Sequence, residues 1–320
     1  MDRSLPERRD TKSPRFARLL FSERSAGALN VSLRRQEFGV AEFFNPFAHQ
    51  FVRVAAAVPP CRVADPAFNA KAHLELFREA AGRDVSLVAF PELGLTAYTC
   101  DDLFHQAALQ AAALDALDTL RAASAELPGT VAIVGCPLRL EGALFNCAVV
   151  LHEGSIRAVI PKTHLPNYRE FYERRYFASG TSLRQREGRL LDQTSVPMGT
   201  DILLDLAFTP TRDSQVNEAA CDQRRPGPHL PPLRAFIEVC EDLWVPLPPS
   251  TLAALAGATL VLNLSASNIT VGKAEYRHRL VRSQASRCLA AYVYTAAGTG
   301  ESSTDLSFDG QALIYENDNL

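Results

Sequence analysis

VSLVAF (85–90), VAIVGC (131–136) and LFNCAVVL (144–151) are apolar at both alternating sets of positions. A strand of that kind has neither face in water, so each run must lie inside a sheet covered on both sides. FVRVAAAV (51–58), RAFIEV (234–239), TLVLNL (259–264) and AYVYTAA (291–297) read the same way, and ALIYE (312–316) is the last strand.

Helical segments fall between these strands. Asp65-Pro66 gives an N-cap and first-turn signal, Phe68, Ala72, Leu76 and Ala80 follow at four-residue steps, and Gly82 closes the helix. Residues 102–126 are rich in Ala and Leu and predict a long helix. A short helix at 253–256 stops at Gly257, and 273–290 are amphipathic. His152-Glu153-Gly154-Ser155 between LFNCAVVL and IRAVIP (156–161) is a hairpin signal. Alternating strands and helices with hairpins mixed in predict a layered α/β domain with mixed sheets. Residues 178–232 are the least regular, and DSQVNEAACDQRRPGPHLPP within them reads as a loop.

Residues 1–37 carry nine Lys/Arg against five Asp/Glu, a net of +4 that leaves −7 for the remainder. A disordered basic extension over 1–40 is expected there. The whole chain has a net charge of −3, which makes no general case for nucleic-acid binding. No apolar run approaches the roughly 18 residues of a membrane span. The seven cysteines are widely spaced with no CxxC pair, which argues against a disulfide framework or structural zinc and for a reducing cytoplasm.

G-x-S-x-G, H-E-x-x-H and G-x-x-x-x-G-K-[ST] are absent, and GTGESS (298–303) lacks the third glycine of a dinucleotide loop. Three strand ends do carry polar groups. Glu92 follows VSLVAF, Lys162 follows IRAVIP, and Cys240 follows RAFIEV. Functional groups of α/β sheets gather beyond strand ends, so the three could meet in one pocket. A thiol there needs a base, a role open to a buried carboxylate such as Glu92, and Lys162 would supply the cation for a thiolate or an oxyanion. Taken singly, Cys240 reads equally as a core thiol, Glu92 as the start of a helix, and Lys162 as a solvated charge. By strict alternation Glu238 shares the face of Cys240, while Glu241 points elsewhere and could hold a substrate amine.

Together, the motifs FPELGLTAYTCDDLF, IPKTHLPNYREFYERRYFASG, EVCEDLWVPLPPS, LNLSASNITVGKAEYR and AAGTGESSTDLSFDGQALIYEN resemble the nitrilase, or carbon–nitrogen hydrolase, superfamily. Within it they are most similar to the N-terminal glutaminase domain of the glutamine-dependent NAD+ synthetase family, over about residues 44–317. The resemblance implies an αββα four-layer sandwich and a Glu92–Lys162–Cys240 triad. It implies hydrolysis of L-glutamine through a thioester at Cys240, with Glu173 supporting and Tyr168, Glu241, Ser267 and Lys273 binding glutamine. Ammonia would pass through a tunnel to a synthetase domain or subunit that amidates deamido-NAD+, and a homo-oligomer is expected.

The family's S-G-G-x-D-S loop occurs nowhere in the chain. ATP and magnesium are therefore expected to belong to a synthetase domain absent from it, with no metal or cofactor on residues 44–320. Ala97 stands where many members have glycine, and SQVNEAACDQRRPGPHLPP resembles an insertion. Two other readings stay open: a free-standing amidase for another small amide, and a truncated scaffold without activity.

Overall fold

The computed structural model describes residues 29–34, 51–209 and 233–320. Two mixed sheets lie face to face, each with helices on its outer side. The five-stranded sheet runs β2 (Val54–Ala56), β3 (Leu87–Ala89), β4 (Val131–Leu140), β5 (Ala143–His152) and β6 (Ser155–Pro161). Its first three strands are parallel and the last two close as antiparallel hairpins. The six-stranded sheet has the order β1 (Leu29–Arg34), β9 (Leu203–Thr209), β10 (Leu233–Val239), β11 (Leu260–Ser265), β12 (Ala291–Ala296) and β13 (Ala312–Glu316). Strands β7 (Glu187–Leu190) and β8 (Gln193–Pro197) form a separate hairpin.

The continuous apolar runs have the expected cause, because consecutive residues serve different cores. On β3, Leu87 and Ala89 enter the core between the sheets, and Val88 enters the core beneath the first two helices. On β11, Leu260, Leu262 and Leu264 face the other sheet while Val261 faces the helices of its own side. Helices α1 (Pro66–Gly82) and α2 (Ala107–Ser124) cover the five-stranded sheet through Phe77, Ala113, Leu117 and Leu120. Helices α3 (Pro249–Leu255) and α4 (Lys273–Cys288) cover the other through Ala253, Val281 and Ala285. The result is the αββα four-layer sandwich with mixed sheets.

Local signals hold where sequence chemistry is strong. Asp65 caps α1 by accepting the Phe68 amide at 3.1 Å, with Pro66 in the first turn. The stretch read as one helix over 102–126 is a 3-10 turn (Asp101–His105) followed by α2. Three strands were not anticipated in 178–232, namely β7, β8 and β9. The loop-like piece of that region, from 210 to 232, lies outside the described residues. Within the stretch expected to be a disordered extension, Leu29–Arg34 is a strand paired in parallel with β9, and the remaining residues to 40 lie outside the described ones. The alternating LNVSLR pattern carries that strand, and a count of charges does not see it.

One glycine ties the fold to the site. Gly135 on β4 lies against the loop that follows β3. A Cβ there would sit 2.3 Å from the Leu93 amide nitrogen and 2.5 Å from the Pro91 carbonyl oxygen. Both are backbone atoms and cannot swing aside. Gly135→Ala is expected to cost about 2 kcal/mol of stability through overpacking, read as a lower urea midpoint at unchanged slope.

Candidate active site

Glu92, Lys162 and Cys240 are brought together at one edge of the space between the sheets, and all three are buried. Glu92 follows β3, and its amide donates to the Ser265 carbonyl at the end of β11 at 3.3 Å, so the loop is fixed to the opposite sheet. Lys162 follows β6 and its amide donates to the Asn146 carbonyl at 2.8 Å. The ammonium of Lys162 donates to Glu92 Oε1 and to Glu173 Oε1, each at 2.6 Å. Asn146 Nδ2 donates to the same Glu92 oxygen at 2.6 Å, and Tyr98 donates its hydroxyl to Glu173 Oε1 at 2.8 Å. The second oxygens, Glu92 Oε2 and Glu173 Oε2, are buried without a hydrogen-bond partner among the described residues.

These contacts set the charges. Burial alone would lower the Lys162 ammonium, but Glu173, Glu92 and Cys240 hold it well above its ordinary value. It is a fixed cation. Burial pushes the Glu173 carboxyl up to about 7, against the pull of Lys162. The Cys240 thiol is raised far above its usual range, first by burial and then by Glu92, with Lys162 and the Ala266 amide opposing. At neutral pH the resting sulfur therefore keeps its proton, and it becomes a nucleophile only when a base removes that proton.

Cys240 opens a 3-10 turn (Cys240–Leu243) with φ of +44°. A left-handed backbone at a residue with a Cβ costs about 1–3 kcal/mol. This conformation also overturns the expectation that Glu238 and Cys240 share a face. Ala235, Ile237 and Val239 point between the sheets, and Cys240 joins them because the turn breaks the alternation there. Glu238 lies on the helix side, where its carboxylate accepts the Ser250 amide at 2.9 Å, the Ser250 hydroxyl at 3.1 Å and the Tyr292 hydroxyl.

The four residues expected to bind substrate divide in two. Tyr168, half exposed, donates its hydroxyl to both oxygens of Glu241 at 2.9 and 3.1 Å. Lys273, the first residue of α4, places its ammonium 5.5 Å from the Phe171 ring centre and 5.6 Å from that of Trp244, and donates to Asn268 Oδ1. Burial lowers the Lys273 ammonium, while Cys240, Glu170 and Glu241 act to raise it, so it shares their field. Tyr168, Glu241 and Lys273 thus form a polar mouth near Cys240. Ser267 lies deeper and is held by Arg277, whose Nε donates to its hydroxyl at 3.1 Å and whose Nη2 donates to its carbonyl at 2.9 Å.

Several contributors were not singled out from sequence. Asn146 was visible as a lone amide in the apolar run LFNCAVVL. Thr99, the residue after Tyr98, is held by Glu301, a buried acid that accepts the Thr99 amide and the Thr99 hydroxyl at 2.8 Å each. That contact joins residues 202 positions apart, which no local pattern encodes. Among the described residues no group of three or more His, Cys, Asp or Glu could hold a metal ion, and no helix is long and apolar enough to cross a membrane.

The profile of the carbon-nitrogen hydrolase family matches residues 53–318, and the chain belongs to that family. More particularly, it is similar to a glutamine-dependent NAD(+) synthetase of Mycobacterium tuberculosis, 45% identical over 275 residues. That match takes in 86% of this chain and 37% of the mycobacterial protein, so the chain spans little more than a third of such relatives. The corresponding protein of Mycobacterium leprae is 43% identical over 276 residues, with 86% and 37% covered. Among solved structures, a glutamine-dependent NAD(+) synthetase from Cytophaga hutchinsonii superposes with a TM-score of 0.63 at 27% identity, covering 84% of this chain and 39% of that one. An amidase from Nesterenkonia sp. shares the fold at 17% identity, with a TM-score of 0.61 and 84% of each chain covered.

The buried Glu238 yields a pH test. Burial raises its carboxyl from 4.5 to about 7. A carboxyl raised in the folded state adds stability that is fully present below about 4.5 and is lost as pH rises through about 7. Glu238→Gln removes that dependence. Its urea midpoint is expected to climb relative to the parent's as pH is raised from 4.5 to 7, and a constant difference would contradict the assignment.

Proposed function

We propose that the chain is the glutamine-hydrolysing part of a glutamine-dependent NAD+ synthetase, supplying ammonia to a synthetase domain or subunit that amidates deamido-NAD+. The observation that carries this reading is the buried contact of Lys162 with both Glu92 and Glu173 beside the Cys240 thiol. The similarity to the mycobacterial synthetases supports the choice of glutamine.

In this reading Glu92 takes the thiol proton as Cys240 Sγ attacks the side-chain amide carbon. The carbonyl oxygen gains negative charge, and the Lys162 ammonium stabilises it. Glu92 returns the proton to the leaving nitrogen, ammonia departs, and a γ-glutamyl thioester remains on Cys240. Glu92 then draws a proton from water as it attacks the thioester, the C–S bond breaks, and Glu92 returns that proton to the departing Cys240 sulfur as glutamate is released. Glu173 holds Lys162 in place and offsets its charge. Tyr168, Glu241, Ser267 and Lys273 take the polar end of glutamine, with the Glu241 carboxylate suited to an α-ammonium and Lys273 to an α-carboxylate. ATP and magnesium act in the synthetase domain, and the working assembly is a cytoplasmic homo-oligomer.

The test is glutamate release from L-glutamine, in the presence of a relative's synthetase domain where the chain alone is silent. Cys240→Ala is expected to abolish release. Glu92→Gln should lower kcat by about 10²–10⁴-fold. Glu241→Gln should raise KM with a smaller change in kcat. Turnover of small aliphatic amides with none of glutamine would replace this reading with a free-standing amidase. Equal release by the parent and Cys240→Ala would remove the thiol from the reaction.

A further inference from the structure

The segment carrying Lys162 and the turn carrying Cys240 belong to different sheets, since β6 lies in the five-stranded sheet and β10 in the six-stranded one. Their relative position is not fixed by any strand pairing. Beside the Tyr168–Glu241 contact, one buried side chain spans the gap. Asp242 is buried, and its Oδ1 accepts the His164 amide at 2.7 Å. Its Oδ2 accepts the Val239 amide at 3.0 Å and the Thr163 amide at 3.3 Å. Two of these donors directly follow Lys162, and the third directly precedes Cys240. All three partners are backbone groups, so the contact fixes main chain to main chain.

We propose that Asp242 is a positioning residue that sets the distance between the Lys162 ammonium and the Cys240 sulfur by clamping the two main chains that carry them. This rests on the reading of Glu92, Lys162 and Cys240 as one reacting centre. A carboxylate suits the task because both of its oxygens accept, and here they serve three N–H groups at once. An asparagine offers one accepting oxygen and would turn its NH2 toward N–H donors, leaving buried amides unpaired. The same bonds stabilise the left-handed Cys240, since the Val239 amide is held at the point where the strand stops. Burial raises the Asp242 carboxyl to about 6 and the three amides oppose that shift, which fits a group bonded as an anion.

The experiment compares the parent with Asp242→Asn and Asp242→Ala, using Cys240→Ala as the blank. Folding is checked by circular dichroism and thermal melting. The rate at which iodoacetamide alkylates Cys240 is followed by the mass of the Cys240 peptide. The reagent needs an activated thiol but no glutamine recognition, so it reads the centre whatever the substrate is. In the folded variants alkylation is expected to fall by about 100-fold, the scale of an ångström's misplacement. The kcat for glutamate release should fall by a similar factor and by more than KM rises, because the reacting distance changes while Tyr168, Glu241 and Lys273 keep their side chains. Parental alkylation in either folded variant overturns the proposal. So does failure of both variants to fold, which would make Asp242 a residue of the fold and not of the centre. Slowed alkylation in the variants of a parent that does not hydrolyse glutamine would uphold Asp242 and reject the glutamine reading.

Discussion

The Lys162 ammonium, held between two carboxylates in the apolar seam of two sheets, is the interaction on which the site depends. Removing three charges from water costs several kcal/mol per ion even after relaxation. Direct contact at 2.6 Å on both sides, with further donors from Asn146 and Tyr98, offsets that cost. Each partner comes from a different part of the chain: Glu92 from the end of β3, Lys162 from the end of β6, Glu173 from the segment beyond, and Asn146 from within β5. The cluster therefore forms only when the five-stranded sheet is complete. In return it fixes one arrangement of those strand ends, since loss of Lys162 would leave both buried carboxylates without their cation.

The sandwich supplies what that cluster requires. Because both faces of each central strand are dry, the seam between the sheets excludes water, and fixed charges there act strongly on their neighbours. The six-stranded sheet then brings Cys240 to the same seam. It does so at the cost of regular backbone, because a continued strand would place the sulfur on the helix side with Glu238. The left-handed turn at Cys240 is the step that moves the thiol from one core to the other.

Much of this was legible in sequence, and the rest has identifiable reasons. Apolar runs without alternation pointed to strands covered on both faces, which holds for β3, β4, β5, β10, β11 and β12, whereas FVRVAAAV yields only the short, half-buried β2. Asp65-Pro66 announced α1 because a cap is local chemistry. Strands β7 and β8 are largely polar and exposed, so no apolar period marks them. Glu92, Lys162 and Cys240 were found as strand-end groups, and their resemblance to a family joined them. Their companions were harder to see. Asp242 acts through three backbone amides about 80 residues away or on its own turn, and such bonds leave no trace in residue type. The face of Glu238 was misread because alternation holds only while the strand does, and it ends one residue before the thiol.

Three acids beside one cysteine, Glu238, Glu241 and Asp242, look like an obstacle to a reactive thiol. The structure separates them by giving each its own donors. Glu238 is turned to the helices and bonded to Ser250 and Tyr292, Glu241 meets the Tyr168 hydroxyl, and Asp242 is occupied by backbone amides. The carboxylates that chiefly raise the sulfur's hold on its proton are instead Glu92 and Glu173, which arrive from the opposite sheet. Glu173 and Glu92 are also the groups that keep Lys162 charged. Burial and this pair together hold the thiol protonated, and the pair keeps a cation beside it. Such a centre is quiet at rest and gains most when negative charge develops next to Lys162. That is the electrostatic condition for attacking an amide, whose carbonyl oxygen becomes an anion only as the bond to sulfur forms.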